Sequence, residues 1–249
     1  MIEAAITKKT KAIIPVSLFG QPPDMDKIQA IAKNYNLKVI IDGAQSFGSV
    51  YKNKKDSNLG DISITSFFPS KPLGCYGDGG AVFTNNDEYA EKIKMLRVHG
   101  QNQRNYHKFI GMAGRMDTIQ ASILLAKLKY FEKELEVRQK IANYYTNALS
   151  HKFDTPVIKK DRTSTWAQYT LRVNNRNYIQ DELKKNGIPT AVFYPLSLHL
   201  QECFKYLGYQ KGDFPISEKA SSKAISLPMN AFLTLDQINY ITSNLKKYI

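Results

Sequence analysis

Cysteine is scarce: 249 residues hold only Cys75 and Cys203, with no CxxC pair and no histidine cluster beside them. A disulfide-stapled scaffold and a cysteine-based metal module are thereby excluded, and a reduced, cytoplasmic protein is the simplest reading. The opening residues, Met1 to Thr7, lack the basic and long apolar regions of a signal peptide. No apolar run approaches the roughly 20 residues that span a bilayer, so no membrane is expected. Repeats and low-complexity segments are missing too. Acidic residues are in deficit, 22 against 35 Lys and Arg, and the formal net charge is +13. Such a surplus attracts nucleic acid, acidic lipid or a phosphorylated substrate. The basic residues are scattered in short clusters such as Lys8-Lys9, Lys52 to Lys55 and Lys184-Lys185. No zinc-finger, helix-turn-helix or RNP spacing accompanies them, so nucleic-acid binding rests on charge alone.

What is present is a globular composition, 43% hydrophobic and 23% charged, in a chain long enough for one large domain or two small ones. Residues 12–18 form an apolar run of buried-strand type that stops at Gly20-Gln21-Pro22-Pro23. Asp24 or Asp26 is placed to cap a helix running to Tyr35, and Lys38 to Ile41 is the next strand. Strand, helix, strand implies a right-handed crossover and a mainly parallel sheet, whose ligands gather at the carboxyl ends of the strands. Asp42 stands at such an end. Ser63 to Ser66 and Ala81 to Thr84 read as further strands, and Asp87 to Leu96 as a helix. Two helical stretches follow, Asp117 to Lys129 and Glu132 to Leu149. The polar linker after His151 leads to an alternating strand at Trp166 to Val173. Helices at 178–186, 217–225 and 234–247 surround it. The reading is α/β: residues 1–125 as part of a large domain, 126–150 as a connecting helical spine, and 151–249 as a smaller α+β domain.

Four side chains in the first part suit pyridoxal phosphate chemistry. That chemistry needs a lysine to bond the cofactor, a carboxylate to keep the pyridine nitrogen protonated, and donors to fix the phosphate. Lys71 lies in a loop between two buried strands, where desolvation favours the neutral amine. Released during turnover, it can move the proton between substrate carbon and cofactor carbon. Asp42 suits the ring nitrogen, Ser66 the phosphate, and Gln45 the ring or its phenolic oxygen. Taken singly each has a plainer reading: a turn residue or cap for Asp42, a surface charge for Lys71, and nothing in particular for Ser66 or Gln45. The glycines from Gly74 to Gly80 match neither GxGxxG nor a P-loop and read as a sharp turn behind the lysine.

Asp42-Gly43-Ala44-Gln45, then Gly60 to Lys71 ending in Ser66-Phe67-Phe68-Pro69-Ser70-Lys71, then Gly77-Asp78-Gly79-Gly80-Ala81, resemble the DegT/DnrJ/EryC1/StrS family of sugar aminotransferases. The resemblance continues through Arg97 to Gly100, Gly111 to Ala121 and Tyr194-Pro195, and covers essentially the whole chain. It implies the aspartate-aminotransferase type of fold (fold type I), a homodimer, and transfer of nitrogen, usually from glutamate, to a keto group on a nucleotide-linked sugar. Such enzymes serve polysaccharide and glycan biosynthesis. Carried over by position, Lys71 is the Schiff-base lysine, Asp42 the pyridinium partner, Gln45 a ring contact and Ser66 a phosphate ligand. The lysine loop is most similar to that of members acting on 3-keto sugars, including UDP-linked 3-keto uronic acids.

Two departures stand beside the resemblance. In many relatives an Asn two positions before the counterpart of Arg115 reaches the partner subunit's cofactor phosphate, whereas this chain has Ala113. Relatives also carry an N-terminal portion ahead of the helix that residues 2–6 would finish. It supplies early strands, a phosphate-binding loop at a helix N-terminus and an aromatic residue stacked on the ring. On that ground the chain reads as an N-terminally incomplete member, with sheet edges and apolar faces left uncovered. The alternative reading is an inactive or regulatory remnant of the same fold, and the third is a basic nucleic-acid-binding protein.

Overall fold

The structure is a computed structural model that describes residues 1–248. The chain divides into two compact units, one of Met1–Leu135 with Ile158–Ala167, the other of Glu136–Val157 with the chain from Gln168 onward.

The first unit is built on a four-stranded sheet, β1 (Ala12–Ile13), β2 (Lys38–Asp42), β3 (Ile62–Ser66) and β4 (Gly80–Phe83), which lie side by side in that order. The first three are parallel and the fourth is antiparallel, so the mainly parallel sheet is observed. β1 is short because Pro15 has no N–H to give the ladder. Its contact with β2 nevertheless continues through the carbonyl of Pro15, which accepts from Asp42 N–H at 2.9 Å, and through Ser17 N–H, which donates to Asp42 O at 3.0 Å. Helix α1 (Met25–Asn34) packs Met25, Ile28 and Ala32 against Val39 and Ile41 of β2. Burial of each such aliphatic side chain is worth about 1.5–3 kcal/mol.

Asp24 is the residue before α1, yet its side chain makes no capping hydrogen bond. The carboxylate is taken instead by Lys159 Nζ and Arg162 Nη2, each donating at 2.8 Å to Oδ1. The hydrogen bonds from Lys159 and Arg162 hold its pKa down to about 2. Two cations outbid the weaker backbone donor that a cap would use.

The alternation in β3 is inverted: Ser63 and Thr65 are buried while Ile64 is 37% exposed. Val82 on β4 and Ile14 and Val16 near β1 are exposed as well. A second apolar cluster of Phe67, Leu73, Cys75, Leu124 and Phe131 lies around the segment that follows β3, and Phe47 stacks on Phe83 and Phe131 beside it. Leu124 and Phe131 come from α3 (Thr118–Leu149), which follows α2 (Asp87–Leu96) in the chain. The two helical stretches read separately in the sequence are one helix of 32 residues. No Gly or Pro interrupts it, and Phe131 at the expected break is buried rather than exposed.

In the second unit β5 (Tyr169–Arg172) pairs antiparallel with β6 (Ala224–Leu227), beside α4 (Arg176–Lys185), α5 (Pro215–Lys223) and α6 (Leu235–Leu245). The sequence reads residues 217–225 as one helix, whereas the helix stops at Lys223. Ala224-Ile225-Ser226-Leu227 is buried along its whole length and gains a ladder to β5, which outweighs local helical preference. Thr234 and Gln237 form a complete capping box at the start of α6.

Candidate active site

The carboxyl ends of β2 and β3 bring two of the four expected residues, Asp42 and Ser66, to one edge of the sheet, and the segments that follow them carry Gln45 and Lys71. Asp42 ends β2 opposite Ile64, and Ser66 ends β3 two residues further on. Asp42 Oδ1 accepts from Ala44 N–H at 3.1 Å, which turns the chain sharply away from the strand. Ser66 Oγ accepts from Phe68 N–H at 3.2 Å and begins the lysine loop.

The loop is folded on itself. Lys71 N–H donates to Phe68 O at 2.9 Å, Cys75 N–H to Phe67 O at 2.8 Å, and Phe67 N–H to Gly79 O at 2.8 Å. A Cβ at Gly74 would stand 2.5 Å from Pro69 O, so the close return of the chain requires glycine there. Lys127 of α3 donates to Gly74 O at 2.5 Å and secures the turn from below. Lys71 is half-buried. Burial lowers the pKa of its amine, and the negative charge of Asp42 opposes that shift in part. On balance Lys71 is drawn toward the neutral form a nucleophile needs.

Gln45 is 7% exposed and is held from both sides. Its Oε1 accepts from Phe19 N–H at 2.6 Å, and its backbone carbonyl accepts from Thr165 Oγ at 2.5 Å. Phe19 has φ 62 and Gly20 φ 112, and a Cβ on Gly20 would lie 2.4 Å from Thr165 Oγ. This left-handed turn aims Phe19 N–H at Gln45 and lets Thr165 approach.

Beneath these residues lies a polar group that no motif in the sequence singled out. Asp56, 1% exposed, accepts from Ser17 Oγ at 3.1 Å and from Ser46 Oγ. Its burial and the charge of Asp42 raise its pKa to about 6, against the two serine hydroxyls, which favour the charged form. A lone Asp in Lys55-Asp56-Ser57 carries no spacing signal. Only the fold brings it under the ends of β1 and β2.

A half-buried amine, a carboxylate acting on it and a hydroxyl at the neighbouring strand end, on the carboxyl edge of a parallel sheet, form a donor set that fits pyridoxal phosphate. Together with the mixed sheet and its helices, they define a pyridoxal-phosphate-dependent transferase of fold type I. Comparison with known proteins narrows the class. The chain belongs to the DegT/DnrJ/EryC1/StrS aminotransferase family, whose sequence model matches residues 1–246. It is 49% identical over 246 residues to UDP-2-acetamido-2-deoxy-3-oxo-D-glucuronate aminotransferase of Pseudomonas aeruginosa, covering 98% of this chain and 68% of that protein. Among solved structures, a DegT DnrJ EryC1 StrS aminotransferase from Brucella abortus superposes with a TM-score of 0.91 at 39% identity, covering 96% of this chain and 64% of that one. NtdA of Bacillus subtilis, solved with bound cofactor PMP, superposes with a TM-score of 0.89 at 32% identity over 99% of this chain and 58% of its own. The chain therefore spans roughly two thirds of the length of these relatives. The expected family, fold type and cofactor are borne out. Neither the remnant nor the nucleic-acid reading is favoured.

Among the described residues no helix is long and apolar enough to cross a membrane.

Proposed function

We propose that this protein transfers an amino group, with glutamate as donor, to the C3 keto group of a UDP-linked sugar in the synthesis of a cell-surface polysaccharide. The observation that carries the reading is the half-buried Lys71 under the charge of Asp42, at the edge where β3 ends in Ser66. The name of the Pseudomonas relative supports a UDP-linked 3-oxo sugar. The charge of +13 suits a substrate bearing two phosphates.

Bound pyridoxal phosphate supplies an electron sink that lets nitrogen pass between carbon skeletons. Lys71 Nζ would be the amine that holds the cofactor, and the same amine would carry the proton to and from the substrate carbon that bears nitrogen. Asp42 would hold the proton on the ring nitrogen. Ser66 Oγ accepts from Phe68 N–H, which leaves its own hydrogen free to be donated, and it would give that hydrogen to the cofactor's phosphate. Gln45, fixed by Phe19 and Thr165, would contact the ring. Cofactor binding falls to residues 1–125, joined by residues 126–150 to the smaller part at 151–249. A homodimer follows the family resemblance, and the free thiols Cys75 and Cys203 suit the cytoplasm.

The test is optical. Purified protein mixed with pyridoxal phosphate is expected to develop the visible absorption of lysine-bound cofactor, bleached by glutamate and regenerated by a UDP-3-keto sugar. Absence of the band from the wild-type protein would overturn the reading.

A further inference from the structure

Asp56 is a carboxylate with no cation to hold it. Among the described residues no Lys or Arg forms an ion pair with it, yet it is 1% exposed. A buried charge of this kind is expensive, and a neutral side chain of the same shape would remove the penalty. Its hydrogen bonds show what it is connected to. Ser17 donates its Oγ to Asp56 and its backbone N–H to Asp42 O at 3.0 Å. Ser46 donates its Oγ to the other oxygen of Asp56 and its backbone N–H to Gly43 O at 3.1 Å. A Cβ on Gly43 would stand 3.1 Å from Asp56 Oδ2, so the carboxylate lies against the backbone of the residue next to Asp42. The Asp56 N–H donates in turn to Ser49 O at 2.9 Å.

We infer that Asp56 is a positioning residue for the cofactor site: it ties the loop after β1 to the turn after β2, and its negative charge behind Asp42 strengthens the retention of a proton on the ring nitrogen. The tie stands on the contacts themselves. The part concerning the ring nitrogen rests on the aminotransferase reading above. The loop after β1 carries Phe19, and the turn after β2 carries Gln45, so the same tie sets the donor and the acceptor of the 2.6 Å bond between them.

The electrostatics follow from what faces the carboxylate. Ser17 and Ser46 face its two oxygens, and the charged group that acts on it is Asp42 at the end of β2, which also acts on the amine of Lys71 in the lysine loop. Like charges raise the proton affinity of a carboxylate, and a positive charge on the ring nitrogen would relieve both carboxylates at once. The cost of the buried charge is thereby offset when the cofactor is protonated.

Two measurements test the inference. In the cofactor-free protein, the carboxyl carbon of Asp56 is followed by 13C NMR against pH. It is expected to titrate near 6, raised mainly by burial, and its midpoint to move down in Asp42→Asn; an unchanged midpoint would overturn the coupling. In the loaded protein, 15N-labelled pyridoxal phosphate reports the ring nitrogen directly. Asp56→Asn, which keeps shape and a hydrogen-bond acceptor, is expected to lower the pH at which that nitrogen loses its proton by about one unit. The same midpoint in both proteins would overturn the electrostatic part. Asp56→Ala also cuts the tie and is expected to bind pyridoxal phosphate roughly tenfold more weakly than Asp56→Asn; equal affinities would overturn the positioning part. A wild-type protein that takes up no pyridoxal phosphate would sink the aminotransferase reading and the ring-nitrogen part with it. The cofactor-free titration still decides whether Asp56 and Asp42 are coupled.

Discussion

The two halves of the candidate site are held in opposite ways. The lysine loop, from Ser66 to Gly80, is closed by backbone hydrogen bonds among sequence neighbours, with Phe67, Phe68 and Gly79 bonding Cys75, Lys71 and one another, and is seated on α3, where Lys127 donates to Gly74 O and Gln120 accepts from Tyr76 N–H. The strand-end half, with Asp42 and Gln45, is secured by buried polar side chains from distant segments, namely Ser17, Asp56 and Thr165. A site of this kind separates the group that must move from the groups that must stay. Lys71 is half-buried on a loop of glycines, whereas Gln45 is fixed at both its side chain and its carbonyl. Positioning groups gain from rigid support, and a lysine that bonds the cofactor, lets go and carries a proton gains from local freedom.

If that division holds, damage to the loop removes chemistry and leaves stability alone, while damage beneath the strand ends alters stability and protonation. The largest effect is expected from Lys71→Ala. Loss of the proton transfer alone lowers turnover by roughly 10²–10⁴-fold, and the lysine-bound absorption disappears. Thermal unfolding is expected to stay close to that of the wild type, because among the described residues the Lys71 side chain makes no hydrogen bond and is only half-buried; a large fall in Tm would place the loop in the structural half.

The next effect lies in the strand-end half. Asp56 has a pKa of about 6 in the folded protein, above the usual carboxylate value. The folded state therefore binds more protons than the unfolded state between about pH 4 and 6. The resulting stabilisation is fully present below that window and is lost as pH rises through about 6, to a total of about 3 kcal/mol. Denaturant unfolding as a function of pH is expected to show this decline in the wild type and a flatter profile in Asp56→Asn. Parallel profiles would remove Asp56 from the account of the strand ends.

The same division explains what was legible. Strands β2 and β3 announce themselves by β-branched runs, and the lysine loop by a contiguous motif, because the backbone hydrogen bonds that close it lie within about fifteen residues of sequence. Asp42, Gln45, Ser66 and Lys71 were all readable as candidates on that basis. Asp56 and Thr165 were not, since neither has a partner at a fixed spacing: Thr165 meets Gln45 across 120 residues and Ser17 meets Asp56 across 39. Strand β6 was missed for a related reason. Ala224 to Leu227 continues a helical pattern locally, and only the buried pairing with Tyr169 to Arg172 makes it a strand. The cap at Asp24 fails in the same way, overruled by Lys159 and Arg162 from far along the chain.

The two smaller effects set the halves directly against each other. Gly20→Ala places a methyl group 2.4 Å from Thr165 Oγ at a backbone φ of 112. The left-handed strain alone costs about 1–3 kcal/mol, and Thr165 must move away from Gln45 to make room. Both stability and pyridoxal phosphate affinity are expected to fall, the second because Gln45 loses its fixed position. Ser66→Ala is the counterpart in the other half. Ser66 is half-buried, and its one side-chain hydrogen bond among the described residues is accepted from Phe68 N–H, for which a solvent oxygen can serve as acceptor instead. Stability is expected to change by less than about 0.5 kcal/mol, while a donor to a phosphate is lost, which weakens pyridoxal phosphate binding by roughly tenfold. Equilibrium dialysis against the cofactor, paired with chemical denaturation of the same samples, distinguishes the two patterns. A Ser66→Ala protein as destabilised as Gly20→Ala would show that the end of β3 belongs to the rigid half, and that the boundary between fixed and mobile parts of the site lies beyond Ser66, closer to Lys71.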